Sequence, residues 1–98
     1  MSNSIVPGRR VVITGMGAIT PVGNTLDAYW ANLIGGVCGI APLERVDKED
    51  YEIKVAAGVR DFDPLQYIDR KEARRMDRYC QFAVAASMQA IEDSGLDI

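Results

Sequence analysis

The first apolar run of the chain is short and has no polar residue within it. Val11, Val12 and Ile13 follow two arginines and precede glycines at positions 15, 17 and 23. A continuous β-branched run is typical of a strand covered on both faces, as in the middle of a parallel sheet. The glycines and Pro21 interrupt such a strand. The pattern predicts a central strand followed by a tight glycine-rich loop.

Helical periodicity begins directly after this loop. Asn24 or Thr25 can cap a helix with a side-chain oxygen, and Gly35 and Gly36 can end it. Between them, apolar residues recur at the spacing of one helix face. We therefore predict an amphipathic helix over residues 25–35. Its apolar stripe consists of Leu26, Tyr29, Trp30, Leu33 and Ile34.

A second strand is predicted from an alternating pattern. After an irregular segment over residues 37–50, apolar residues stand at every second position. This period is typical of a strand with one face less buried, near the edge of a sheet. The alternating residues are Ile53, Val55, Ala57 and Val59.

Capping signals divide the last third of the chain. Asp63 before Pro64 predicts a short helical turn through residue 68. Asp69 can cap the next helix, with Glu72 as its capping-box partner. Asp77 can start a further helix, which predicts a break near residues 76–77.

The final helix has little polar surface. From residue 79 to 91 its side chains are small or apolar nearly all round, which is typical of a helix buried on most sides. Ser94 and Gly95 end it. Two strands and two substantial helices cannot cover one another fully. We expect an α/β chain in which residues 1–8 are a flexible lead-in and residues 9–98 are an incomplete amino-terminal portion of a larger domain.

Composition places the chain among ordinary folded proteins. It has 98 residues, 48% of them hydrophobic and 26% charged, with a net charge of −3. This balance does not favour nucleic acid as a partner. The first residues lack the pattern of a secretory signal, and no run is apolar and long enough for a membrane span. We therefore expect a cytoplasmic protein without membrane association.

The sequence offers no obvious catalytic or metal-binding set. It contains no histidine, and its two cysteines, Cys38 and Cys80, stand 42 positions apart. Neither has the spacing of a metal ligand set or a histidine to activate it, so both are interpreted as inert thiols. No cofactor is implied.

The glycine loop resembles the start of a dinucleotide-binding motif. Gly15 and Gly17 fit the first two glycines of GxGxxG, but Thr20 stands at the third position. Pro21 also disfavours a helical conformation at Thr20. A nucleotide-binding unit is therefore the weaker hypothesis, and a closely packed turn beneath a sheet is the stronger.

Basic residues cluster in one short segment. Residues 70–78 contain five basic and two acidic residues, so the segment is net positive in an acidic protein. At helical spacing, four of the basic residues share one face. The face is either simply solvated or a docking surface for an acidic partner, in which case the chain could be a stand-alone interaction module. The four residues are Lys71, Arg74, Arg75 and Arg78.

Together these stretches resemble the amino-terminal part of the β-ketoacyl-acyl carrier protein synthases. They are more similar to the type II than to the type I elongating enzymes of bacterial fatty-acid synthesis. The resemblance covers the chain from residue 9 onward. It is carried by residues 9–24, by Trp30 with Gly39-Ile40, and by residues 70–77 and 89–96.

The resemblance implies a thiolase-like α/β fold, five-layered in the full enzyme, which forms a homodimer. It also implies a decarboxylative condensation of acyl and malonyl thioesters carried by acyl carrier protein. In the family, the nucleophile is a cysteine in a Thr-Ala-Cys-type motif, and two histidines help to decarboxylate the malonyl group. This sequence contains neither that motif nor any histidine. No catalytic residue is therefore expected in this chain, which alone should be inactive. The resemblance assigns docking of acyl carrier protein to Lys71, Arg74 and Arg75.

Overall fold

The computed structural model describes residues 8–42 and 54–97. The predicted lead-in, apart from Gly8, and Ile53 of the predicted second strand lie outside these ranges. In the part described, no helix has the length and apolar character needed to cross a membrane. The elements are α1 (Leu26–Ile34), β1 (Ala41–Pro42), β2 (Val55–Ala56), a 3-10 turn (Pro64–Gln66), α2 (Arg70–Ala73) and α3 (Arg78–Ser94).

Helix α1 begins and ends where its sequence signals lie. The Thr25 hydroxyl accepts a hydrogen bond from the Ala28 backbone N–H at 3.1 Å, so Thr25 and not Asn24 is the cap. Gly36 follows the helix with φ of +75°, a left-handed conformation that suits glycine. The predicted helix over residues 25–35 is confirmed. Its start and end could be predicted because each depends on residues within one helical turn.

The two short strands form an antiparallel pair. Ala41 lies opposite Ala56, and Pro42 lies opposite Val55. The prediction of an irregular segment is therefore wrong at β1, and the predicted second strand is confined to two of its residues. Pro42 has no N–H to donate, which limits the ladder at that position. Alternation alone overestimated the length of the strand.

The opening apolar run does not form the predicted covered strand. Val11 is 98% exposed and Ile13 is 80% exposed, and residues 11–13 are not assigned to any strand. A central strand needs neighbours on both sides, and no described segment lies beside this run as a sheet partner. The prediction is therefore wrong for the structure of this chain.

The glycine-rich segment packs against helix α3. A Cβ added to Gly15 would lie 2.3 Å from the Ala90 carbonyl oxygen, and one added to Gly17 would lie 2.1 Å from the Ala86 carbonyl oxygen. Both distances are far below van der Waals contact. The prediction of a closely packed turn is confirmed, although what the turn packs against is a helix.

The buried apolar residues lie just before α2, at its last position and within α3. Among the described residues, Ile68, Ala73 and Ala85 form the core, and only Ala85 is fully inaccessible. Helix α3 was predicted to be buried nearly all round, but Tyr79 at its start is 70% exposed. That prediction is wrong here, because nothing in the described ranges covers the outer faces of α3.

The termini of α2 and α3 follow the sequence signals only in part. Asp69 and Asp77 occupy the cap positions of the two helices, which confirms the predicted break. Neither aspartate makes a side-chain capping bond, so the predicted capping box is not formed. By contrast, the Asp63 carboxylate accepts a hydrogen bond from the Leu65 N–H at 3.0 Å and starts the 3-10 turn as predicted. Gly95 ends α3 with φ of +72°.

Candidate functional site

Three of the predicted docking residues share one exposed turn. Lys71 lies in α2, and Arg74 and Arg75 follow directly after it. The backbone keeps a helical path through them, because the Arg74 N–H donates to the Arg70 carbonyl at 3.2 Å and the Arg75 N–H donates to the Glu72 carbonyl at 3.0 Å. All three basic side chains are exposed. We call residues 70–75 the basic turn.

Arg78 is separated from the basic turn. Its guanidinium carbon lies 5.5 Å from the ring centroid of Phe62 and 5.2 Å from that of Phe82. The side chain is half-buried, and the two rings meet edge to face at 5.1 Å. The predicted single face of four basic residues is therefore wrong, because the helix breaks between Ala73 and Arg78.

Two glutamines of α3 donate hydrogen bonds to residues in other segments of the chain. The Gln81 side-chain amide donates to the Ala73 carbonyl at 3.0 Å. The Gln89 amide donates to the Asn24 carbonyl at 2.7 Å and to the Tyr67 hydroxyl at 2.9 Å. These polar contacts link three other segments of the chain to one helix, and the Asn24 and Tyr67 segments are far from Gln89 in sequence.

Gln89 also fixes the glycine-rich segment. Its side-chain oxygen accepts a hydrogen bond from the Ala18 N–H at 2.9 Å. Further along α3, the Asp93 carboxylate accepts one from the Met16 N–H at 3.0 Å. Neither Gln81 nor Gln89 was singled out from the sequence. The available signal was a pair of long polar residues, eight positions apart, within an otherwise small and apolar helix.

The electrostatic character of the basic turn suits an anionic protein partner. Its exposed basic residues outnumber Glu72, the acidic residue within the turn. Exposed charges of one sign steer an oppositely charged partner and set its orientation more than they add affinity. The turn contains no serine, threonine, cysteine or histidine, and what its exposed charges support is binding.

The described residues show no metal-binding group at the cysteines, and the glycine loop lies against α3. Cys38 is exposed and Cys80 is half-buried, and both are free thiols. Among the residues described, no group of three histidine, cysteine or acidic side chains could hold a metal ion. The backbone at Gly15 and Gly17 lies in contact with α3. A phosphate therefore has no access at the face where these glycines meet the helix.

Comparison with known proteins identifies related sequences. Residues 8–98 match the family model for the β-ketoacyl synthase N-terminal domain. The chain is 56% identical over 90 residues to 3-oxoacyl-[acyl-carrier-protein] synthase 2 of Synechocystis sp., covering 92% of this chain and 22% of that protein. The proteins of the same name from Staphylococcus aureus strain COL and Vibrio harveyi are 47% and 46% identical, with the same coverage.

A solved structure shows the same arrangement of the chain. The ishigamide ketosynthase/chain length factor aligns with a TM-score of 0.81 and 39% identity, over 91% of this chain and 22% of that one. The expected thiolase-like α/β fold, represented here by its amino-terminal part, is confirmed. The chain spans about a fifth of the length of the relatives it matches. It belongs to the β-ketoacyl synthase family, as part of the N-terminal domain.

Proposed function

We propose that this chain is the amino-terminal segment of an elongating β-ketoacyl-acyl carrier protein synthase of fatty-acid biosynthesis. The observation that carries the proposal is the 56% identity over 90 residues to a 3-oxoacyl-[acyl-carrier-protein] synthase 2. In the proposed reaction, a thiolate of the full enzyme takes the acyl group from its carrier thioester and releases the carrier thiol. Malonyl-acyl carrier protein then loses CO₂, and the resulting carbanion attacks the acyl-enzyme to give a 3-oxoacyl-carrier and the free thiolate.

Within this reaction, we assign the segment to scaffolding and docking. The sequence has no histidine, and neither Cys38 nor Cys80 stands in the nucleophile's motif. The nucleophile and the groups that stabilise negative charge are therefore assigned to other parts of the enzyme, and the 98 residues alone are inactive. The proposed enzyme is a cytoplasmic homodimer that needs no organic cofactor.

Docking of acyl carrier protein is assigned to Lys71, Arg74 and Arg75. Their exposure and positive charge support this assignment, because the carrier expected from the resemblance presents an acidic helix. Arg78 is left out, because its guanidinium lies over two aromatic rings. Removing positive charge from the turn should therefore slow reactions of carrier-bound substrates only.

The activity is tested with the full-length protein that contains this segment. Purified enzyme is mixed with a medium-chain acyl-acyl carrier protein and malonyl-acyl carrier protein, and both products are followed by mass spectrometry. We expect one CO₂ and one 3-oxoacyl-acyl carrier protein, two carbons longer, per turnover. Residues 1–98 alone are expected to give neither product. Condensation by the isolated segment, or none by the full-length enzyme, would contradict the proposal.

The docking assignment is tested by two matched charge reversals. Arg74→Glu/Arg75→Glu is compared with Arg9→Glu/Arg10→Glu, which makes the same change in charge at two other exposed arginines. The first pair should raise KM for acyl-acyl carrier protein about tenfold or more, while activity with an acyl-pantetheine thioester stays near that of the wild type. The second pair should change neither. Equal effects of both pairs would show a non-specific charge effect.

A further inference from the structure

We infer that Gln81 is a positioning residue for the docking of acyl carrier protein. It acts through the basic turn, by tying the end of α2 to α3. This inference rests on the proposed function, because the basic turn must be the docking surface for its position to matter. Gln81 itself carries no charge and is not among the docking residues.

Helix α2 cannot hold its own orientation. It consists of the four residues Arg70–Ala73, and Asp69 at its cap position makes no side-chain capping bond. One helical turn fixes several backbone dihedral angles in return for few hydrogen bonds, so it is not stable alone. Contacts with the rest of the chain must therefore determine where Arg74 and Arg75 leave the helix.

Two kinds of contact supply that orientation. Ile68, just before α2, and Ala73, its last residue, are buried, so apolar packing contributes to holding the turn in place. Apolar packing is not directional, so it leaves the rotation of a single turn poorly determined. The bond from the Gln81 amide to the Ala73 carbonyl, at 3.0 Å, is directional and crosses the break between the two helices.

Backbone hydrogen bonds hold both partners of the Gln81–Ala73 bond in place. It lies in the first turn of α3, where its own N–H donates to the Asp77 carbonyl at 3.1 Å. The Ala73 carbonyl also accepts the Met76 N–H at 3.2 Å. The same oxygen therefore joins the end of α2, the turn after Arg75 and the body of α3.

Loss of this bond should loosen the basic turn without changing its charge. The exposed basic side chains would then sample more orientations, and binding would have to restrict them. We expect weaker recognition of the carrier, with an unchanged chemical step. A charge-neutral substitution should therefore reproduce part of the effect of charge reversal.

The test uses two variants of the full-length enzyme. Gln81→Met keeps the size of the side chain and removes its donor, and Gln81→Asn keeps the amide but shortens its reach. Each should raise KM for acyl-acyl carrier protein about two- to tenfold, the range expected for one lost hydrogen bond. Turnover of an acyl-pantetheine thioester should be unchanged. Gln66→Met, at an exposed position of the 3-10 turn, is the matched control and should alter neither.

Combination with the charge reversal separates positioning from general destabilisation. In the Arg74→Glu/Arg75→Glu background, Gln81→Met should cause no further rise in KM, because the surface that it positions has lost its function. A second full rise there, or equal losses with both substrates, would overturn the inference.

The outcomes also separate this inference from the docking proposal. If both Gln81 variants leave KM for the carrier unchanged while the charge reversal raises it, only the positioning role fails. If the charge reversal has no carrier-selective effect, the docking proposal fails, and the positioning role fails with it. If one Gln81 variant does not fold, the other decides the result.

Discussion

Two regions of this chain differ sharply in how well they are covered. The region around α3 includes the glycine-rich segment and the basic turn. It contains the buried residues Ile68, Ala73 and Ala85, the bond of Gln81 to the end of α2 and the long-range bonds of Gln89. Each element there lies against another part of the same chain. The residues proposed for docking are therefore held by contacts that this segment makes within itself.

The region formed by the opening run and α1 has apolar residues without cover. Trp30 is 58% exposed and Ile34 is 69% exposed, and none of the residues of α1 is buried. Large apolar side chains exposed in such number are typical of surfaces that other parts of a protein cover. One region is therefore held by contacts within this segment, whereas the other exposes apolar residues that further layers of a larger fold would cover.

The largest effect is expected in the packed region, when a methyl group is added at Gly17. Gly17→Ala should destabilise the full-length enzyme by about 3 kcal/mol, because the new Cβ would overlap the Ala86 carbonyl. Urea unfolding would measure the loss. Gly58→Ala is the control, since a Cβ at Gly58 meets no atom within 4 Å. Equal stability of the two variants would show that the glycine segment is not packed on α3.

A smaller loss is expected when the hydrogen bonds of Gln89 are removed. Gln89→Leu leaves the Ala18 N–H and the Asn24 carbonyl without their partners. We expect a loss of about 2 kcal/mol, as is typical when buried polar groups lose a partner. Thermal unfolding of the full-length enzyme would show it as a lower Tm. An unchanged Tm would mean that Gln89 does not link these segments.

The smallest of these effects is expected at Arg78. Replacing it by alanine removes the cation from the rings of Phe62 and Phe82 and should cost about 1 kcal/mol. Activity with the carrier substrate, per folded enzyme molecule, should remain close to that of the wild type. A carrier-selective rise in KM would instead place Arg78 on the docking surface.

Local signals in the sequence predicted much of the secondary structure. The cap at Asn24 or Thr25, the turn at Asp63 and the helix end at Gly95 are correct, because each depends on atoms within one helical turn. The location of the basic turn was also predictable. The break before Arg78 was predicted too. The position of the Arg78 guanidinium over two aromatic rings was not, because helical spacing gives no information about side chains from other elements.

Features that depend on distant partners could not be read from the sequence. The short ladder of β1 with β2 and the bonds of Gln89 join residues far apart along the chain, and the bond of Gln81 crosses the break between two helices. The opening run has the composition of a buried strand, but burial requires neighbours that the described residues do not provide. The composition of a segment indicates whether burial would stabilise it, and tertiary contacts determine whether it is buried.

The most direct test of the central claim is calorimetry of residues 1–98 alone. The claim is that the apolar faces of this segment require the remaining layers of a synthase. We predict no cooperative heat-absorption peak, together with helical circular dichroism and strong binding of a hydrophobic dye. A sharp two-state transition, with an enthalpy of about 0.7 kcal/mol per residue, would contradict the claim and indicate a module that folds independently.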